Sequence, residues 1–195
     1  MNILLLKIVG GSYLLGSIPT GYWLGKAWKG IDIRTQGSGN VGATNVVRVL
    51  GVGPGVITFL IDCLKGALPV LWVQHTYPGA LGWATCAGLA AILGHTTSPF
   101  VRFQGGKGVA TSGGAFAALL PIPTGIGFAV FLVCLAFSRM VSASSILAAV
   151  ALAVSAFKFA PDPMLAYAVT GVSLVVIWKH RDNIKRILAG TESRI

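Results

Sequence analysis

The fold class is decided by residues 54–73, which read PGVITFLIDCLKGALPVLWV. Only Asp62 and Lys65 are charged in this run, and its length matches the roughly 20 residues that a helix needs to cross a bilayer. The two charges are three residues apart on one helix face, and ionisable groups at such depth are costly unless they pair or line a polar cavity. We predict a transmembrane helix with a structural ion pair near the functional site, with a direct catalytic role for the pair as the less favoured alternative.

Composition extends this prediction to the whole chain. Its 195 residues are 54% hydrophobic and 10% charged, with a mean hydropathy of +0.79, which is not the composition of a soluble domain. The first apolar segment contains Pro19, Tyr22 and Trp23 and is followed by no small-residue cleavage pattern, so we expect a retained span rather than a signal peptide. No internal repeat or low-complexity stretch is visible, and a single membrane domain over residues 1–195 is expected.

Apolar runs predict an all-α, polytopic transmembrane helix bundle. Several runs are short for a full crossing, and glycine and alanine recur in all of them, which suits close helix packing. The Pro121-Ile122-Pro123 step divides one long run into a hairpin, because proline removes a backbone donor, and six spans remain the alternative. The seven predicted spans are 3–25, 54–73, 80–95, 108–120, 123–138, 144–159 and 164–179.

Charge asymmetry orients the predicted bundle. Fifteen Lys and Arg face five acidic residues, so the formal charge of +10 favours anionic partners such as lipid headgroups or a phosphorylated substrate. With seven spans, one side receives Lys158 alone, and the positive-inside rule then predicts an external N-terminus and a cytoplasmic C-terminus. The predicted cytoplasmic side receives Lys26, Lys29, Arg34, Arg48, Arg102, Lys107, Arg139, Lys179, Arg181, Lys185, Arg186 and Arg194.

The sequence argues against several classes of site. The scattered basic residues lack the aromatic interleaving of a nucleic-acid groove, and three cysteines in apolar runs suggest neither a disulfide framework nor a zinc site. Five isolated acidic residues cannot easily hold a hard metal ion, so no metal is expected. No histidine is followed four residues later by aspartate, and no GxSxG elbow is present. Chemistry in which the protein positions reactants and stabilises anions remains.

A polar loop follows the first span, and residues 37–48 read GSGNVGATNVVR. Its glycines allow backbone N–H groups to approach a ligand, its hydroxyl and amide side chains add donors, and Arg48 supplies a forked cation. A mobile glycine linker is the alternative, but a linker does not need two asparagines, two hydroxyls and an arginine among its glycines. We predict an anion-binding loop at the membrane surface.

A second polar segment, residues 94–111, reads GHTTSPFVRFQGGKGVAT and ends at the fourth span. Lys107 stands directly before that span, so the amides and the positive dipole of the helix start would face whatever Lys107 binds. The segment is not a Walker A loop, because Gly108 follows the lysine where that loop needs serine or threonine. A membrane-flanking lysine with turn glycines is the alternative.

Two further polar stretches belong to the same predicted side. Residues 138–145 read SRMVSASS, and residues 179–186 read KHRDNIKR. His180 and Asn183 share a helix face that can be aimed back at the bundle, whereas Arg181 and Lys185 are more typical of interfacial anchors than of ligands.

These strings together resemble the bacterial acyl-phosphate:glycerol-3-phosphate acyltransferase (PlsY) family over nearly the whole chain. The resemblance rests on five ordered motifs: GSGNVGATNVVR, HTTSPFVRFQGGKGVAT, the Asp62-x-x-Lys65-Gly66 pattern, SRMVSASSI and HRDNIKRILAG. It implies transfer of a fatty acyl group from acyl phosphate to the 1-hydroxyl of sn-glycerol-3-phosphate, giving lysophosphatidic acid and phosphate. It also implies a multi-pass protein of the bacterial inner membrane with a cytoplasmic active site, which begins phospholipid synthesis without a cofactor.

Site roles are carried over from the resemblance. Arg48 and Lys107 would hold the phosphate of glycerol-3-phosphate, and the acyl phosphate would lie against the second segment and the 138–145 turn. The implied catalytic residues are Lys107, Arg48, His180 and Ser38. The implied substrate-binding residues are Asn40, Thr44, Asn45, Gly105, Gly106, Ser142 and Asn183.

The identity of the general base stays open. A mixed anhydride needs no covalent enzyme intermediate, because phosphate is already a good leaving group, so one direct attack suffices. Either His180 or the phosphate of the substrate would remove the hydroxyl proton, and we favour the phosphate because Lys179, Arg181 and Lys185 surround the histidine. The rival function is a membrane transporter of phosphate esters or other anions, which would place charges near the midplane and often show paired repeats. We expect a monomer.

Overall fold

The computed structural model describes residues 3–195, and those residues contain α-helices, two short 3₁₀ helices and no strand. The all-α prediction is therefore confirmed. The 3₁₀ helices are Ile33–Thr35 and Pro99–Val101. The α-helices are α1 (Ile3–Gly16), α2 (Thr20–Lys29), α3 (Ala43–Leu50), α4 (Val52–Thr76), α5 (Leu81–Thr96), α6 (Val109–Leu119), α7 (Pro121–Ser138), α8 (Val141–Phe159), α9 (Pro163–Lys179) and α10 (Arg181–Leu188).

Each predicted span coincides with a helix or, at the start of the chain, with the pair α1 and α2. By length and composition, four segments could cross a bilayer: Ile3–Lys29, Val52–Thr76, Pro121–Ser138 and Val141–Phe159. A fifth is added if α9 and α10, which are bent by 56°, form one broken span. The seven crossings and the orientation of the termini stay predictions.

The first predicted span is broken, which the apolar pattern did not show. α1 ends at Gly16 and α2 begins at Thr20, because Pro19 has no N–H to continue the helical ladder. The hydroxyl of Ser17 donates to Tyr13 O at 2.7 Å, which caps the end of α1. The break leaves the backbone carbonyls of residues 17 and 18 available to other partners.

The proline step at 121–123 ends one helix and starts another, as predicted. α6 ends at Leu119, and α7 begins at Pro121, a position where the missing N–H of proline costs no helical hydrogen bond. The chain also divides into two compact units at this point, up to Leu119 and from Leu120 onward. The single domain and the hairpin stay predictions.

Glycines permit close helix contacts inside the first unit, as the small-residue pattern predicted. A Cβ on Gly16 would collide with the backbone of Ala91, so α1 and α5 meet at this glycine. A Cβ on Gly114 would collide in the same way with the backbone of Cys63, so α6 and α4 also touch. Such contacts replace the hydrophobic effect as the force between helices in lipid.

The second unit contains α7 to α10. Gly127 of α7 faces α8, where a Cβ would lie 3.1 Å from Ala148 O and 3.4 Å from Leu152 Cβ. Phe157 of α8 and Tyr167 of α9 make an edge-to-face contact at 5.6 Å. Large apolar side chains project outward from these helices, and Phe137 is 87% exposed. Such a surface suits a hydrocarbon environment.

Candidate active site

The first polar segment is only partly a loop, which corrects the sequence-based interpretation. Residues 36–42 are non-helical, whereas α3 begins at Ala43 and carries Thr44, Asn45 and Arg48. The helix starts here because Gly42 adopts an extended conformation and its N–H donates to Asn40 Oδ1 at 2.8 Å. Of the glycines in this segment, Gly37 and Gly39 have positive φ and Gly42 does not, so the loop conformation is confined to the first part of the segment.

Asn45 holds this loop in place. Its side chain is 2% exposed, and its Nδ2 atom donates to the carbonyls of Ile33, Gln36 and Asn40 at 3.2, 3.1 and 2.9 Å. Its Oδ1 atom accepts from Ser38 N at 2.8 Å. The amide group is thereby engaged within the protein, and the structure gives Asn45 a supporting role beside the substrate-binding role predicted for it.

The remaining polar groups of the segment are more accessible. Ser38 and Arg48 are exposed, and Asn40 and Thr44 are half-buried. Thr44 and Arg48 are four residues apart and so share one face of α3. The opposite face buries Val46 and Leu50 against Ile33 and Val41. The amphipathic pattern of α3 therefore keeps Arg48 away from the apolar core.

The second segment approaches α6 through a constrained backbone. Arg102 and Phe103 have φ values of 55° and 60°, a conformation that is uncommon outside glycine and costs of order 1–3 kcal/mol each. The chain then lacks regular structure until Val109, and the half-buried Lys107 stands two residues before α6. The predicted placement of Lys107 next to a helix start is confirmed, and the helix dipole there favours an anion.

Gly105 and Gly106 pack against the end of α5. The Gly106 N–H donates to His95 O at 3.1 Å. A Cβ on Gly105 would lie 2.7 Å from Thr96 C, and a Cβ on Gly106 would lie 2.8 Å from His95 Cε1. Both distances are shorter than real Cβ contacts, so glycine is required here for close approach.

Arg34, three residues before the first polar segment, contacts the second segment. It forms two hydrogen bonds with Asp32, from Nε at 3.0 Å and from Nη2 at 2.7 Å, and its Nη1 donates to Val101 O at 3.3 Å. Its guanidinium carbon also lies 4.9 Å from the ring centre of Tyr22. The Arg34 guanidinium lowers the pKa of the Asp32 carboxyl from 3.8 to about 2, so the pair is charged at neutral pH.

The ion pair predicted inside the second span is confirmed. Lys65 Nζ lies 2.7 Å from Asp62 Oδ1, and both side chains are 3% exposed. Thr20 Oγ1 donates to the same carboxylate oxygen at 3.2 Å, and Lys65 also donates to Ile18 O at 2.7 Å, at the break between α1 and α2. His95 Nδ1 lies 3.9 Å from Asp62 Oδ1.

In the second unit, two predicted residues are joined by a residue that the sequence did not reveal. Glu192 Oε1 accepts from Ser142 Oγ at 2.7 Å and from Asn183 Nδ2 at 2.6 Å, while its Oε2 accepts from Arg186 Nε at 2.7 Å. The Ile195 N–H donates to Arg139 O at 2.8 Å and holds the tail in place. The sequence signal that could have revealed Glu192 is the presence of an acidic residue in a short polar tail.

The Glu192 carboxylate is buried and ionised. Burial raises the pKa of this group, but hydrogen bonds from Asn183, Ser142 and Arg186 outweigh burial, and the pKa of Glu192 falls below its ordinary value. This carboxylate fixes the orientation of Ser142 and Asn183. Neither side chain is oriented by its own helix alone.

His180 lies at the junction of α9 and α10 and is 3% exposed. Its Nδ1 atom is 2.8 Å from Val176 O. Because a carbonyl oxygen only accepts, Nδ1 carries the proton in this contact, and Nε2 is the nitrogen that would take up a further proton. This tautomer is compatible with a role as base.

Comparison with known proteins identifies the family. The glycerol-3-phosphate acyltransferase family matches residues 6–190. The glycerol-3-phosphate acyltransferase of Synechococcus sp. (strain JA-2-3B'a(2-13)) is 50% identical over 192 residues, covering 98% of this chain and 94% of the relative. That of Trichlorobacter lovleyi is 48% identical over 189 residues, covering 95% of each chain.

Two solved structures share the fold. Both are crystal structures of PlsY (YgiH), an integral membrane glycerol 3-phosphate acyltransferase, and each is 38% identical to this chain. The glycerol 3-phosphate form has a TM-score of 0.91, covering 98% of this chain and 96% of the other. The lysophosphatidic acid form has a TM-score of 0.89, with coverage of 98% and 95%. Taken with the polar segments around Arg48 and Lys107, these matches show that the chain belongs to the glycerol-3-phosphate acyltransferase family.

Proposed function

We propose that this protein transfers a fatty acyl group from acyl phosphate to the 1-hydroxyl of sn-glycerol-3-phosphate. The products are lysophosphatidic acid and inorganic phosphate, in the first step of phospholipid synthesis. The observation that carries the proposal is the family match over residues 6–190, together with a lysine and a glycine pair just before α6 that suit a phosphate ligand.

The reaction requires one nucleophilic attack. The glycerol hydroxyl oxygen forms a bond to the acyl carbon, and the bond between that carbon and the phosphate oxygen breaks. The departing phosphate takes the electron pair, and the hydroxyl proton moves to a base. Positioning and charge stabilisation supply the catalysis, because the leaving group is already activated.

Arg48 and Lys107 are proposed to bind the phosphate of glycerol-3-phosphate. Arg48 is exposed on the polar face of α3, and Lys107 precedes the N-terminal amides of α6, so each is presented for contact with an anion. A guanidinium binds phosphate in a bidentate manner, whereas an ammonium acts as a point charge. Ser38, Asn40 and Thr44 are proposed to add neutral donors, and Asn45 to support the loop.

The second unit is proposed to contribute Ser142, His180 and Asn183. We favour the substrate phosphate as base, since Lys179 and Arg181 flank His180 in sequence and a nearby positive charge disfavours a protonated imidazole. His180 would then bind substrate through Nε2. We also propose that the protein is a monomer of the inner membrane and that its active site faces the cytoplasm.

The decisive experiment is a donor comparison. The purified chain would be given labelled glycerol-3-phosphate and one of three donors: acyl phosphate, acyl-CoA or acyl-carrier protein. We expect lysophosphatidic acid and phosphate in equal amounts with acyl phosphate alone. Product with a thioester donor and none with acyl phosphate would reject the proposed reaction.

The transporter alternative is tested separately. Sealed vesicles containing the protein would be loaded with labelled glycerol-3-phosphate and no acyl donor. We expect the label to be retained, as in vesicles without protein. Efflux dependent on the protein would favour transport.

A further inference from the structure

A buried polar network reaches into the second segment, through side chains to which the proposed reaction gives no role. It consists of Asp62 and Lys65 of α4, Thr20 of α2 and His95 of α5. All four side chains are at least nine-tenths buried. Ionisable groups at this depth in a membrane protein are costly, and such residues usually serve function.

The network begins at the break between α1 and α2. Lys65 donates to Ile18 O at 2.7 Å, and Ser98, in the segment after α5, donates to the neighbouring Ser17 O at 2.5 Å. The same helix break therefore anchors α4 and the start of the second polar segment. A shift of this break would move both partners together.

The network ends at Gly106. Lys65 and Thr20 fix the Asp62 carboxylate, and the His95 ring lies next to it with Nδ1 at 3.9 Å. The same ring packs against Gly106 so closely that a Cβ there would lie 2.8 Å from Cε1 and 3.2 Å from Cδ2. The His95 carbonyl also accepts from the Gly106 N–H at 3.1 Å. Gly106 directly precedes Lys107.

We infer that His95 and Asp62 are positioning residues for Lys107. The His95 ring and carbonyl set the position and direction of the Gly105–Gly106 backbone. Asp62, which is held by Lys65 and Thr20, fixes the ring. Lys107 then stands where it binds the phosphate of glycerol-3-phosphate. This inference rests on the binding role proposed for Lys107.

The first test is a double-mutant cycle between His95→Ala and Gly106→Ala, read as the KM for glycerol-3-phosphate. We expect each single variant to raise this KM by about 10–10²-fold, because a displacement of about 1 Å has effects of that size. Removal of the ring makes room for the new methyl group, so the double variant should show a KM no higher than either single variant. Single effects that multiply in the double variant would overturn the inference.

The second test addresses Asp62. Because a single substitution would leave Lys65 buried without its counter-ion, the neutral pair Asp62→Asn with Lys65→Met is used. We expect a KM for glycerol-3-phosphate raised by about tenfold or more. If the folded double variant has the wild-type KM, Asp62 does not position Lys107.

The readout and controls separate positioning from folding. Loss of folded enzyme lowers the rate per milligram but leaves KM unchanged, so a purely structural role would not move KM. Thr85→Val is the matched control, because its hydroxyl bonds only to Leu81 O within α5, about 15 Å along the helix from His95. Lys107→Ala separates a failure of the proposed site from a failure of this inference. Wild-type activity of Lys107→Ala would reject the proposed site. An inactive Lys107→Ala variant together with a wild-type KM for His95→Ala would reject the inference alone.

Discussion

The two units build their polar regions in opposite ways. In the first unit, backbone and glycine define the shape: Gly106 approaches the His95 ring, and Asn45 satisfies three carbonyls and one amide of the chain. In the second unit, one carboxylate, Glu192, orients Ser142 and Asn183. The first region should therefore be sensitive to added methyl groups and lost loop contacts, and the second to the loss of a single charge.

The largest effect should come from removing the cations of the first region. We expect Lys107→Ala or Arg48→Ala to lower kcat/KM by at least about 10²–10³-fold, because each removes a charge-assisted contact to the substrate phosphate, and loss of one anion-stabilising donor commonly has an effect of that size. The measurement is steady-state acyl transfer with acyl phosphate. Lys158→Ala is the control, since Lys158 is exposed and contacts the ring of Phe159. Wild-type rates for Lys107→Ala would reject the site.

A smaller loss should follow from removing the support of the first loop. Asn45→Ala removes one hydrogen-bond donor from each of three loop carbonyls and the acceptor of the Ser38 amide, and we expect kcat/KM to fall by up to about 10²-fold through displacement of Ser38 and Asn40. Thr35→Ala, which removes an exposed hydroxyl bonded to Asp32 O, should stay near wild type. Equal activity in the two variants would show that the loop keeps its shape without Asn45.

The comparison predicts a different response at Glu192. Glu192→Gln retains the shape but loses the charge, and we expect the free energy of unfolding to fall by about 1.5–3 kcal/mol, the range for hydrogen bonds to charged groups. The measurement is the Tm in detergent, with Glu192→Asp as the variant that keeps the charge. An unchanged Tm for Glu192→Gln would show that the carboxylate does not organise this region.

As pH falls, the stabilisation that Glu192 gives to the second unit should be lost at a higher pH than the contribution of Asp32 to the first unit. The pKa of Glu192 is lowered on folding, so its stabilisation is fully present above its ordinary value of 4.5 and is lost as pH falls through the lower folded value. Wild-type Tm should therefore decline below about pH 4.5, and the decline should be shallower in Glu192→Gln. Identical pH profiles for the two proteins would contradict this.

The smallest effect is expected at the Asp32–Arg34 pair, which lies before the first polar segment and contacts the second. Asp32 has a pKa of about 2 in place of 3.8, so its contribution is complete above about pH 4 and lost as pH approaches 2. The pair with Arg34 is about a quarter exposed, and solvent screens it. Asp32→Asn should lower activity only slightly at neutral pH, and a large loss would show that Arg34 is more important to the loops than its exposure indicates.

The sequence predicted the features that follow from polarity and periodicity. The apolar ranges, the proline step at 121–123 and the Asp62–Lys65 pair all follow from local patterns, and the structure contains each of them. The motif strings led to the correct family. Long apolar runs leave few alternatives to a helix, and the helical ranges were therefore predicted correctly.

Features that depend on distant partners could not be predicted. The role of Asn45 depends on carbonyls up to twelve residues away. Glu192 reaches Ser142 across fifty residues. Neither spacing nor composition encodes such contacts in a single sequence.

The tail that carries Glu192 has a practical consequence for preparing the protein. Glu192, the Ile195 amide and the Thr191 amide, which donates to Arg186 O at 2.8 Å, attach this tail. The tail lies beyond α10, so loss of its last four or five residues to a protease would leave every helix intact. Circular dichroism and gel mobility would barely change, while Ser142 and Asn183 would lose their common acceptor. Intact mass should therefore be verified before low specific activity in any preparation is attributed to a substitution.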